Sequence, residues 1–358
     1  MTVDDLPTPA LLVDLDTLER NVERWQREAT AHGARFRPHV KTHKTVELAR
    51  MQLGAGACGL TVAKVSEAEV FVHAGFDDIV VAYPVATPDA ARRLAALAGR
   101  ARIGVNVENR VAAEVLSRAA ASAGVELEVY LDLDTGLGRC GVPVDDPAAV
   151  RALADAIAEL PGLRLHSVTT YRGAAFPGAP DPASAGRAEA ELAVAAAREL
   201  GLREVAAGST PSGRAVAAAQ GVTEVRAGTY VFNDLMQQRF GAAGPEDCAL
   251  TILTTVISAQ REGRVTVDGG SKTFSGDAAL RDGETTEYAR SRDGAITIDG
   301  LTEEHGVGSA QRAVRVGDRI GFVPAHACTT VNLSDELFAV RGGRVEAVWP
   351  VAARGRRT

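Results

Sequence analysis

The sequence predicts an α/β chain: a (β/α)8 TIM barrel followed by a C-terminal β domain. Two observations predict it. Eight short segments, apolar on both parities as parallel strands are, alternate with Ala-rich helical stretches over roughly 230 residues. Past residue 240 the apolar period becomes two and Gly-rich turns appear. A doubly wound open sheet is the competing architecture for the first part.

The elements follow in order. "DTLERNVERWQREATAHG" reads as a helix, with Asp16 as cap, Glu19 three residues on, Leu18, Val22 and Trp25 on one face, and Gly33 at the exit. Strands are expected at 34–40, 58–63, 78–84, 102–107, 127–134, 163–171, 204–209 and 223–230, most followed by helical stretches such as "KVSEAEVFVHAG" and "AAVRALADAIAEL". The period-two segments are "ALTILTTVISAQREGRVTVDGG", "AITIDG", "RIGFVPA" and "LFAVRGGRVEAVWPV", with "RGGR" (341–344) as a hairpin turn. The boundary is expected near "FGAAGPED" (240–247). This assigns residues 10–240 to the barrel and 241–358, together with 1–9, to the β domain.

Composition narrows the function. The 358 residues carry a formal net charge of −7 and no basic block, which argues against nucleic acid or an anionic membrane surface as partner. The acidic start "MTVDDLPTPALLVDLD" lacks the pattern of an export signal, and no apolar run reaches the ~18 residues of a membrane span. The four cysteines, Cys58, Cys140, Cys248 and Cys328, show no CxxC pairing, so free thiols in a reducing cytoplasm are expected.

The chain has four lysines, Lys41, Lys44, Lys64 and Lys272, against a large excess of arginine. Lys41 lies in "RPHVKTHK", where the first barrel strand should end at its C-terminal edge, the edge on which barrel active sites are built. A partly desolvated lysine beside cationic groups such as His39 and Lys44 suits bond formation with an aldehyde; a loop lysine on the surface is the alternative, and Lys272 in "DGGSK" is a rival. "GSTPSGR" (208–214) and "RAGTY" (226–230) follow strands seven and eight, whose loops commonly cradle phosphate; either alone could be a tight turn, and the two together point to a bound phosphate. Arg139 in "DTGLGRCGV" and Tyr171 in "TTYRGA" should face the same mouth; the alternatives are an Arg139 paired with a nearby aspartate and a Tyr171 that is a half-buried aromatic with its hydroxyl hydrogen-bonded. In "PAHACTTVNL", His326 and Cys328 stand two apart at an expected strand end, so that both face one way and suit zinc; a buried structural cysteine beside a satisfied histidine is the alternative.

Taken in order, "TPALLVDLDTLERN", "RPHVKTHK", "KVSEAE", "DTGLGRCGV", "GSTP", "TEVRAGTYVFND", "DGGSK", "EEHG" and "PAHACTTVNL" resemble the fold-type III pyridoxal phosphate enzymes, and within them the D-serine dehydratase / D-threonine aldolase group, relatives of alanine racemase. The resemblance covers nearly the whole chain. It implies a homodimer, a small D-amino acid as substrate, and pyridoxal 5′-phosphate with a divalent metal, zinc or another such as manganese. Lys41 would hold the cofactor with His39 beside it. Ser209, Thr210, Gly228 and Tyr230 would surround the phosphate, Arg139 and Tyr171 the ring, and His326 and Cys328 the metal. Aldolase-like members tend to carry His-Xaa-Asp at the metal position and dehydratase-like members His-Xaa-Cys; "HAC" points to water elimination from a D-β-hydroxy-α-amino acid, with retro-aldol cleavage second and racemisation third. One departure is that "YRGAAF" has no histidine or glutamine after Tyr171, where many relatives do.

Overall fold

The computed structural model describes residues 1–173, 181–280 and 286–358. Two compact units form. A barrel unit comprises Arg24–Lys41, Leu48–Gly228 and Gly355–Thr358; a β unit comprises Met1–Glu23, Thr42–Glu47 and Thr229–Arg354. The chain therefore passes between units after Gly228, ahead of the expected change at 240.

In the barrel unit eight parallel strands run Arg35–Phe36, Leu60–Val62, Asp78–Val81, Arg102–Val107, Leu127–Asp134, Leu163–Thr170, Glu204–Ala207 and Glu224–Val225, called strands one to eight below. Each falls inside its expected segment. Strand one pairs with strand eight through Glu224↔Arg35 and Val225↔Phe36. The hoop closes between strands one and two by a parallel bridge, His39↔Thr61, and by the amides of Cys58 and Thr61 donating to the carbonyls of Phe36 and Pro38. Helices follow strands where expected, capped by Thr87, Asn109, Asp146 and Asp181, whose side chains accept from amides of the first turn. Trp25 stacks on Phe36 at 5.9 Å.

Strands one and eight fall furthest short of their expected lengths. Strand one stops at Phe36 and strand eight at Val225, and residues Val40–Thr42 and Thr229–Val231 form 3-10 turns instead. Apolar residues continue past both ends because the turns are themselves buried, at Val40, Tyr230 and Val231.

A charge network fills one end of the barrel. Arg37 Nε donates to Glu224 Oε2 at 2.9 Å, and Arg37 Nη1 reaches Asp78 at 2.6 Å. Arg226 Nε reaches the other Glu224 oxygen at 3.0 Å. Burial alone would raise the Glu224 pKa, but Arg37 and Arg226 outweigh it and hold it at about 2. Its pairing thus stabilises the fold above the ordinary carboxylate range and is lost only as pH falls toward about 2. Glu224→Gln should cost about 3–5 kcal/mol in denaturant unfolding, because it strands buried guanidinium charge; a loss under about 1 kcal/mol would show that the network does not hold the barrel.

In the β unit a sheet of nine strands runs in the order Arg264–Val267, Gly306–Ala310, Ile296–Leu301, Ala289–Ser291, Arg319–Pro324, Leu250–Ser258, Ala10–Asp14, Glu336–Arg341 and Arg344–Pro350. Val267 also pairs with Val256, so the first six close on themselves. Ala10–Asp14, assigned by sequence to the barrel, belongs here, antiparallel to Leu250–Ser258 and parallel to Glu336–Arg341. It is a short continuous apolar run that both architectures accept. The "RGGR" hairpin forms, with Gly342 and Gly343 both at positive φ (54° and 76°). The helix Leu15–Thr30 is capped by Asp14, which accepts from the Thr17 amide at 2.9 Å, and not by Asp16. Asp16 and Glu19 instead meet Arg341. Among the described residues no helix is long and apolar enough to cross a membrane.

Candidate active site

Lys41 sits at the centre of the 3-10 turn after strand one, with its side chain exposed and not in the desolvated pocket expected. Its amide donates to His39 Nδ1 at 3.4 Å, and the His39 amide donates to Ala227 O at 2.9 Å, so the extension of strand eight fixes the approach to Lys41. Lys44 is buried, with φ 54°, and lies in the β unit. Lys272, the rival, is exposed and paired with Glu304 at 2.6 Å.

After strand five the chain wraps around Asp134. Its Oδ1 accepts from the amides of Gly136 and Leu137 at 2.9 Å and of Gly138 at 3.1 Å. Burial would raise this carboxyl, but those amides and Arg172 outweigh it and hold it below the usual range. Glu108 takes the Gly141 amide at 2.5 Å. With the aspartate spent on backbone amides, Arg139 is presented outward and lies 4.9 Å over the ring of half-exposed Tyr171. The expected adjacency of these two is present. Ala174, Ala175 and Phe176 of "YRGAAF" lie outside the described residues.

After strand seven, Ser209 and Thr210 are buried. The helix that follows is only five residues, Gly213–Ala217, so hydroxyls and loop amides, and not a long helix start, are the donors this loop has to offer. Gly228 is buried at the end of the barrel unit; Tyr230 is fully buried in the turn Thr229–Val231 of the β unit.

Three residues that sequence reasoning passed over lie inside the barrel. Arg226 Cζ stands 4.5 Å over the Tyr130 ring, and its buried Nη2 has no hydrogen-bond partner among the described residues. Asn106 Nδ2 donates to Asp132 at 3.0 Å, while its buried Oδ1 is likewise unpartnered. Burial pushes Asp132 up to about 6 against Asn106 and Arg226. Buried polar atoms left without partners are costly. A donor and an acceptor waiting in this way, with an exposed amine at Lys41 and a stacked arginine at Arg139, fit a polar aromatic aldehyde such as pyridoxal phosphate.

In the β unit, His326 and Cys328 are not at a strand end. The strand stops at Pro324, and His326 is the N-cap of the helix Ala327–Val331, with Cys328 in its first turn. Asp234 accepts the Ala327 amide at 2.9 Å and holds this turn. The two side chains still face each other, hydrogen-bonded. His326 Nδ1 is 2.7 Å from Asp277 Oδ2, which also accepts from Thr329 Oγ1 at 2.9 Å. Cys328 Sγ lies 3.2 Å from Oγ1 of Thr42, the residue that follows Lys41 in the chain. Burial would lower the His326 pKa, but Cys328, Asp234 and Asp277 raise it to about 10. Carboxylate, imidazole and thiol in this order are the donor set of a transition-metal site with its orienting carboxylate. Among the described residues no group of three or more His, Cys, Asp or Glu side chains is gathered closely enough to hold a metal ion unaided. None of the four cysteines is in a disulfide.

A lysine after strand one of a (β/α)8 barrel, small-residue loops after strands seven and eight, and an appended β unit define a fold-type III pyridoxal phosphate enzyme. The comparisons agree. Residues 13–235 match the alanine racemase N-terminal domain and 249–340 the serine dehydratase domain. The chain is 35% identical to 3-hydroxy-D-aspartate aldolase of Paracoccus denitrificans (strain Pd 1222), over 99% of this chain and 94% of that one. It is also 35% identical to D-threo-3-hydroxyaspartate dehydratase of Delftia sp. (strain HT23), over 92% and 93%. The crystal structure of D-threonine aldolase from Filomicrobium marinum superposes with a TM-score of 0.90 at 32% identity, covering 100% of this chain and 98% of that one. The chain belongs to the alanine racemase N-terminal domain family, in its branch of pyridoxal phosphate-dependent lyases with a serine dehydratase domain.

Proposed function

We propose that the protein is a D-β-hydroxy-α-amino acid dehydratase, converting D-threo-3-hydroxyaspartate or D-serine to a 2-oxo acid and ammonia. When bound, pyridoxal phosphate supplies an electron sink for the α-carbon, and a divalent metal a Lewis acid for the β-hydroxyl. Lys41 would hold the cofactor through its ε-amine, and the same amine would serve as the base that removes the α-proton. His39 orients the turn that carries it. Ser209, Thr210, Gly228 and Tyr230 hold the phosphate, while Arg139 and Tyr171 bound the ring. His326 and Cys328 hold the metal, zinc by its preference for nitrogen and sulfur, with manganese as the alternative; Asp277 fixes the imidazole through Nδ1.

The observation that carries elimination over carbon–carbon cleavage is the His326–Cys328 donor pair, where aldolase-like members tend to have His and Asp. Overall identity does not choose, since the aldolase and the dehydratase relatives are equally similar. Retro-aldol cleavage to glycine and an aldehyde is the second reading, favoured by the close superposition on D-threonine aldolase. Supplying D-serine, D-threonine and D-threo-3-hydroxyaspartate should yield 2-oxo acid and ammonia; glycine as the main product from every substrate would overturn the dehydratase reading. The free cysteines support a reducing cytoplasm, and the family a homodimer, which sedimentation would test.

A further inference from the structure

One buried carboxyl joins the loops that follow strands six and seven. Glu189, on the helix Pro182–Leu200, is 1% exposed. Its Oε1 accepts from the Gly208 amide at 3.1 Å and its Oε2 from the Ser212 hydroxyl at 3.5 Å. It also accepts from the Arg172 backbone amide. The helix comes this close because residue 186 is glycine: a Cβ there would stand 2.8 Å from the Ser212 carbonyl oxygen.

Ser212 passes the contact on. Its Oγ lies 2.8 Å from Ser209 Oγ and accepts from the Ser209 amide at 3.1 Å; Ser209 Oγ accepts from the Ser212 amide at 3.4 Å. Each hydroxyl has one proton and two lone pairs, so the far end of the chain sets its direction. When Glu189 is a carboxylate, Ser212 donates to it, Ser209 donates to Ser212, and Ser209 has no proton left to offer. When Glu189 is protonated, it donates to Ser212, Ser212 donates to Ser209, and the Ser209 hydroxyl is released to donate outward.

We infer that Glu189 is a positioning residue whose proton turns the Ser209 hydroxyl toward a phosphate ester in the loop after strand seven, so that phosphate binding takes up one proton. The inference rests on the reading of Ser209 as a phosphate contact. A phosphate dianion only accepts hydrogen bonds, so it favours the state in which Ser209 donates, and it disfavours a second anion behind the loop. The proton comes from solvent and ends on Glu189 Oε2; no covalent bond changes. Burial pushes the Glu189 carboxyl up to about 7 against the amides and Ser212, so both states are populated near neutrality. The charged group facing it is Arg172, on the loop after strand six. Residues 208–213 and the turn-neighbours Ala185 and Ala193 bring no titratable side chain.

Pyridoxine 5′-phosphate, which has the phosphate but no aldehyde, tests this by calorimetry. It is titrated into the cofactor-stripped full chain, wild type and Glu189→Gln, between about pH 6 and 8.5, in two buffers of different protonation enthalpy. The glutamine amide donates to Ser212 at every pH and so mimics the protonated acid. The phosphate's own ionisation, near pH 6, is common to both proteins and cancels in the ratio of their Kd values. Above neutrality that ratio should rise toward about tenfold per pH unit, with close to one more proton taken up by wild type than by Glu189→Gln, and Ser209→Ala should abolish the dependence. A flat ratio with both proteins binding overturns the inference and leaves the phosphate site standing. Loss of binding in Glu189→Gln at every pH makes Glu189 a structural support only and also overturns it. Absence of binding in both proteins overturns the phosphate reading together with it.

Discussion

Lys41→Ala should leave a folded protein that no longer bonds covalently to pyridoxal phosphate and has lost at least about a thousandfold in activity. The magnitude follows from two roles lost at once: the nucleophile that captures the aldehyde and the general base, the latter alone contributing about 10²–10⁴. The fold should be indifferent, because the side chain is exposed and packs into no core. Borohydride reduction followed by peptide mapping reads the bond directly: the label should fall on Lys41 in wild type and on no residue in the variant. A label on Lys272, exposed and ion-paired with Glu304, would move the centre of the chemistry to the β unit and end the present reading.

Cys328→Ala should empty the metal site and lower activity by two orders of magnitude or more, with zinc unable to restore it. Wild type stripped by a chelator should lose activity and regain it with zinc. Removing one of two protein ligands leaves an imidazole that still has its carboxylate behind it, at 2.7 Å, but no thiolate to hold a soft cation. Asp277→Asn should be milder, about 10–100-fold in metal affinity, the usual effect of losing an orienting carboxylate. Metal analysis of the purified variants decides this apart from turnover. If Cys328→Ala keeps a full equivalent of metal, the cysteine is structural, acting through contacts such as those to Thr42, Thr229 and His326.

Much of this was legible in the sequence, for identifiable reasons. The eight parallel strands showed because a strand covered on both faces is apolar at both parities, and helices between them carry their own caps. The "RGGR" turn showed because two glycines at positive φ have few alternatives. The residues misplaced were those whose local signal serves two outcomes. Ala10–Asp14 is an apolar run suited to either sheet, and Asp14 and Asp16 both stand where a cap could. His326 and Cys328 were expected to face one way on a strand; a helix start brings them together by different geometry. Arg226, Asn106, Asp132 and Glu189 were invisible because burial, and which polar atom ends without a partner, are decided by distant segments. Glu189 sits in an Ala-rich helix where a glutamate ordinarily reads as a solvated face.

The hoop of the barrel is unevenly fastened. Strands five and six are paired along most of their eight residues, from Leu127↔Leu163 to Leu133↔Thr170, whereas strand one has two ladder positions with strand eight and one bridge to strand two, its other bonds running to flanking loop residues. Strand one is therefore the loose stave, and its amides should take up deuterium well before those of strand five. Lys41 follows that stave directly. A molecule tethered there and gripped near Gly228 would act as a rivet across the joint, so slowed exchange at Phe36–His39 would report an occupied pocket in a protein that is not turning over.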